Sequence, residues 1–231
     1  MDELHIQLDT AITSNNIDKV KELLDNKDIN VNIQNEDGNT LLHWAIMINN
    51  IDIVKKLLKN KKIDVNIQDN NGDQPLNWAI SFNNINIIKE LLKNEKINVN
   101  IKNNQGETPL NVATIHESID IIKELLKNEK IDVNTQNIYG TTPLSRAIMK
   151  NNIDIIKELL KNKKIDVNKQ DIYGLTPLHL SIKNNCIIKL LLKKGMTIPQ
   201  NPQYLVKEVR GLLENKYINI INRSYYTKEN I

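Results

Sequence analysis

Five glycines, Gly38, Gly72, Gly106, Gly140 and Gly174, stand 34 residues apart. The same step carries the column Ala11, Ala45, Ala79, Ala113, Ala147 and Ser181, the prolines Pro75, Pro109, Pro143 and Pro177, and the Val-Asn pairs beginning at Val31, Val65, Val99, Val133 and Val167. So many columns in register mean one structural unit used repeatedly, and such units fold by burying their apolar faces on their neighbours. The architecture is therefore a stack.

Residues 35–68 serve as the pattern. Asn35-Glu36-Asp37-Gly38 is a turn signal, with Gly free to take the positive φ that other residues avoid. Thr40 stands at a helix N-cap, and the following position is Pro in the next four units, where its missing N–H costs nothing. A short helix over 41–48 is predicted, with Leu42, Ala45 and Ile46 on one face. Asn49-Asn50 breaks it, and Asn50 caps a second helix with Asp52 in its first turn and Lys59, Lys61 and Lys62 near its end, as the helix dipole favours. Ile53, Val54, Leu57 and Leu58 form its apolar stripe. Asn60 is expected as a left-handed stop, and Ile63-Asp64-Val65-Asn66 alternates as an extended arm into the next turn.

Composition fits this unit. With 37 Asn and only 7 Gly, asparagine takes many caps and stops that Gly or Ser would otherwise fill. The excess of Asn and Ile, and 28 Lys against 3 Arg, are what an AT-rich coding sequence produces. The net charge of +3 comes from 31 basic and 28 acidic residues interleaved along the chain, which builds no single-sign field for nucleic acid. Met1-Asp2-Glu3-Leu4-His5 has no basic and apolar leader, and no run approaches the roughly 18 apolar residues that span a bilayer. A lone Cys186 forms no internal disulfide, in keeping with a reducing compartment. A cytoplasmic location is expected, in a host if the source is a virus or intracellular organism, and the sequon Asn222-Arg223-Ser224 is read as accidental.

Asp171-Ile172-Tyr173-Gly174-Leu175-Thr176-Pro177-Leu178-His179-Leu180-Ser181 resembles the signature of the ankyrin repeat, which recurs with changes at 35–45, 69–79, 103–113 and 137–147. The resemblance covers about residues 1–197, with a period of 34 where the family usually has about 33. Leu41 replaces Pro and Gln74 replaces Thr. The expected fold is all-α: an ankyrin-repeat solenoid of stacked helix-turn-helix units with β-turn fingers. The division is a capping repeat at 1–34, full repeats at 35–68, 69–102, 103–136 and 137–170, and a shortened repeat at 171–197. At 198–231, Leu205, Val206, Val209, Leu212 and Leu213 recur at helical spacing, the pattern of a capping helix or docking tail.

The resemblance implies a non-catalytic module that binds a protein partner through finger tips and the concave first-helix face. The expected binding residues are Tyr139, Tyr173, Ile138, Ile172, Leu175, Met149, Phe82, Met47, Ile48 and His116, because large apolar side chains at exposed positions call for a cover. That cover is a partner, or the tips pack on each other, on the arms or on the C-terminal segment. An adaptor recruiting a second protein through 199–231 is the alternative. His43 and His179 sit where the family ties neighbouring turns together, Trp44 and Trp78 where it has Leu, and both pairs are read as framework. Cys186 is expected as a buried inert thiol. No phosphate-cradling Gly loop, His-Glu-x-x-His or nucleophile elbow occurs, so neither an enzyme, a cofactor nor a metal is expected. The chain is read as a monomer that binds neither nucleic acid nor membrane.

Overall fold

The computed structural model describes residues 3–26, 29–182 and 184–197. Twelve helices run through them: α1 Glu3–Thr13, α2 Ile17–Leu24, α3 Leu41–Met47, α4 Ile51–Leu58, α5 Pro75–Ser81, α6 Ile85–Leu92, α7 Pro109–Ile115, α8 Ile119–Leu126, α9 Pro143–Met149, α10 Ile153–Lys161, α11 Pro177–Leu180 and α12 Asn185–Lys193. Each odd-numbered helix packs on the even one after it and on the next odd one, so the first helices form one layer and the second helices another. Strands are absent among the described residues; an isolated bridge joins Gln34 and Thr40. The segment 198–231, with its apolar spacing, lies outside the described residues.

The core is continuous from Leu8 to Met196, and Ala45, Ala79, Ala113 and Ala147 are fully buried in it, where only a small side chain lets first helices approach. The left-handed residue expected at Asn60 lies elsewhere. Asn15, Asn49, Asn83, Glu117 and Asn151 carry φ of 53 to 57°, each just after a first helix. There Asn50 N–H donates to Ala45 O (3.1 Å) and Asn49 N–H to Ile46 O (2.9 Å), the paired bonds of a Schellman stop. The reversal falls here because two antiparallel helices must be joined by two or three residues. Asn60 instead accepts from Lys62 N–H through Oδ1 (2.9 Å).

One turn of chain then serves two helices. Asn50 caps α4 by accepting from Asp52 and Ile53 N–H, and its Nδ2 donates to Asn15 Oδ1 of the preceding unit (2.5 Å). Asn84 repeats this contact on Asn49, and Asn184 on Asn151. The arms are held alike. Ile63 and Val65 are buried, while Asn32 Nδ2 donates to Lys62 O and Asn32 Oδ1 accepts from Asp64 N–H, both at 2.8 Å. Asn66, Asn100 and Asn134 do the same one unit further along each time. The arm is less extended than its alternation suggests, since Val65-Asn66 forms a turn.

Candidate functional site: fingers and concave face

Each finger is a tight turn closed by its own first residue. Asn137 Oδ1 accepts from Tyr139 and Thr141 N–H (3.0 and 2.9 Å), and Gly140 N–H donates to Asn137 O (2.9 Å). Fingers are stitched to one another by Asn70 N–H on Asp37 O, Asn104 N–H on Asn71 O, Ile138 N–H on Gln105 O and Ile172 N–H on Tyr139 O, at 2.9 to 3.3 Å. A Cβ on Gly140 would lie 2.7 Å from Ile172 N, whereas one on Gly174 meets nothing within 4 Å. Gly174 thus marks the exposed end of the described finger row.

The first fingers add side-chain bonds that the last two lack. Asn70 Nδ2 donates to Glu36 O (2.8 Å) and Asn104 Nδ2 to Asn70 O (2.9 Å). Ile138 and Ile172 hold the same column without such a bond. Both are exposed, as are Leu175, Tyr139 and Tyr173, the last 75% exposed. Ring pairing does not cover the tyrosines: among the described residues the paired rings are His43 with Trp78 and Trp78 with Phe82.

On the first helices, Met47, Ile115 and Met149 stand in one column, all exposed, with Ser81 the polar member between them. Phe82 is half exposed and packs edge-on against Trp78, centroids 6.0 Å apart. His116 is exposed at the end of α7. Ile48 corrects the sequence reading: at the C-cap of α3 it is half-buried against the core rather than exposed. Ile115, not among the expected binding residues, belongs to the exposed set.

His43 and the tryptophans are framework. Thr40 N–H donates to His43 Nδ1 (3.1 Å) and His43 Nε2 donates to Asp73 O (3.2 Å), which ties one finger to the next and requires the neutral ring. Burial pushes the His43 pKa down to about 4, against the raising effects of the Asp73 carbonyl bond and the Asp69 charge. Trp78 Nε1 donates to Asp69 Oδ2 (2.9 Å). Cys186 is exposed on α12, contrary to expectation, since the apolar face of that helix falls on Ile187, Ile188 and Leu191.

Folding also sorts charge. The fingers and first helices hold Glu36, Asp37, Asp69, Asp73, Glu107 and Asp171 against Arg146 and Lys150, an acidic balance that interleaving along the chain conceals. Most lysines lie on the second helices and arms, where Lys93, Lys127 and Lys161 pair with Glu90, Glu124 and Glu158 at 2.6 to 2.7 Å. An ion pair joins the finger of one unit to the first helix of the next, Arg146 Nη2 on α9 to the buried Glu107 Oε1 at 2.7 Å. Sequence reasoning missed it; a lone arginine in a lysine-rich part of the chain, at a first-helix column that is Trp, Val or Leu in the other units with a finger, was the available signal. Among the described residues, no group of three or more His, Cys, Asp or Glu is placed to hold a metal ion, and no helix is long and apolar enough to cross a membrane.

Finger turns and paired helices stacked at one step define a solenoid of the ankyrin type. The family model for ankyrin repeats (3 copies) matches overlapping stretches 8–103, 63–137, 95–171 and 129–202. The chain belongs to the ankyrin repeat family. Among solved structures it is similar to the ankyrin repeat protein EF0377, at 29% identity and a TM-score of 0.74, covering 84% of this chain and 98% of that one. The ankyrin repeat domain of Bcl-3, a member of the IkappaB protein family, matches in fold at 22% identity and a TM-score of 0.73, covering 83% of this chain and 86% of that one. A comparison with curated protein sequences gives no match. Ankyrin repeats generally mediate protein-protein interaction, and the comparisons indicate no catalytic family.

Proposed function

We propose that the chain is a monomeric, cytoplasmic, non-catalytic module that binds a protein partner across its finger tips and concave first-helix face. Tyr139, Tyr173, Ile138, Ile172 and Leu175 form the centre, with Met149, Phe82 and Met47 on the helix side and His116 at the edge. The observation that carries the reading is the substitution of Asn by Ile at positions 138 and 172. There the fingers forgo a side-chain hydrogen bond and leave exposed apolar groups in its place. Exposed apolar surface grouped in this way loses hydration cost when a partner covers it, and Tyr is a frequent centre of such contacts.

The double variant Tyr139→Ser with Tyr173→Ser tests it. Partner binding falls while urea unfolding shifts by no more than about 0.5 kcal/mol. The control is Leu125→Ala, fully buried, which costs about 2–5 kcal/mol. A stability loss of that size in the tyrosine variant would make the rings framework and end the proposal.

A further inference from the structure

Between the fingers and first helices of three consecutive units lies an open cleft of about 440 Å³, lined by Asp73 and Ser81, Glu107 and Ile115, and Tyr139 and Arg146. Its charges do not balance. Arg146 is already engaged with Glu107 Oε1, which Asn137 Nδ2 also reaches at 2.8 Å. Glu107 is 6% exposed, and both its second oxygen, Oε2, and the Nε of Arg146 are buried without a hydrogen-bond partner. Asp73 Oδ1 accepts from Asn77 Nδ2 (3.0 Å) and Asn103 Nδ2 (2.8 Å), and its Oδ2 accepts from none of the described residues. Two carboxylates line the cleft with one guanidinium that pairs with Glu107 alone, on a face that is acidic as a whole, and a buried charged group with an unpaired polar atom is costly.

We propose that this cleft seats a lysine or arginine side chain of the partner, with the cationic head at Asp73 and Glu107 and the methylene stem along Ile115 and Tyr139. The inference rests on the reading of this face as the partner-binding surface and adds the chemistry of what binds. An anion would meet two carboxylates, and an apolar group would leave both uncompensated; a cation satisfies them and its stem matches the apolar wall. The grouping of Phe82 and Met149 nearby calls for apolar residues on either side of the basic one. Burial already raises the Asp73 carboxyl above its ordinary range, the condition that an arriving cation relieves.

Short random peptides displayed on phage and selected on the full chain provide the probe. Selected peptides carry a fixed Lys or Arg flanked by apolar residues, and bind about tenfold or more weakly to Asp73→Asn and to Glu107→Gln, with affinity that drops as salt is added. Both substitutions keep the shape, and Asp73→Asn leaves the Glu107–Arg146 pair intact, so unchanged thermal unfolding of that variant separates lost binding from lost fold. Peptides without a basic consensus that respond to Phe82→Ser and Met149→Ser but not to the two carboxamide variants overturn the cation subsite and leave the binding face standing. Selection of no peptide, or of peptides insensitive to both sets, overturns the face itself and the subsite with it.

Discussion

The side-chain amide of Asn66 clasps the arm that carries Asn98: its Oδ1 accepts from Asn98 N–H and its Nδ2 donates to Lys96 O, each at 2.8 Å. Asn66→Ala breaks both bonds across one inter-unit junction and is expected to cost about 1–2 kcal/mol. Asn66→Asp, which turns the donor into a second acceptor facing Lys96 O, costs more. Urea unfolding of the two variants against wild type checks the order.

His43 makes stability depend on pH in a defined window. Its folded pKa, about 4, is below the ordinary value near 6.5, so the unfolded chain binds the extra proton first. The contribution is complete above about pH 6.5 and is lost as pH falls toward 4, amounting to about 3 kcal/mol across the window. Asp73, raised by its own burial, works in the opposite sense, its contribution falling as pH rises above the ordinary carboxylate value. His43→Asn, the residue found in the same column at Asn77 and Asn111, flattens this part of the profile in unfolding measured as a function of pH.

Glu117 is the odd member of the left-handed column, with φ 55° where the other four are Asn. Glu117→Asn relieves a conformation that β-carbon sterics disfavour and that Asn tolerates. It also restores the acceptor that Asn152 now finds on Glu117 Oε2 (3.1 Å). A gain of about 0.5–1 kcal/mol is expected, read as a rise in the urea midpoint.

Arg146→Met leaves Glu107 buried without its cation and costs about 3–5 kcal/mol. The double variant Glu107→Gln with Arg146→Met recovers most of that loss, because no uncompensated charge remains. A double-mutant cycle in urea gives the coupling directly.

Helix positions, the turn at each glycine, Asn50 as a cap and the buried Leu and Ala columns were legible from spacing, because each rests on contacts within one unit or on a neighbour that repeats it. The left-handed stop was placed one helix too late: Asn60 and Asn49 look alike in composition, and what separates them is the reversal geometry between paired helices. Ile48 and Cys186 were misread for a related reason, since each lies at a helix terminus, where the spacing of an apolar stripe no longer decides which way a side chain faces.

The period alone settles that this chain stacks, where its glycine turns fall and which Leu and Ala columns are its core, since each of these is a local or nearest-neighbour property. The Glu107–Arg146 pair, the acidic face of fingers and first helices and the cleft beside Asp73 arise when side chains 30 or more residues apart are brought together. Charge that alternates along a chain carries no sign of its own until the stack sends one half of every unit to the fingers and the other half to the second helices.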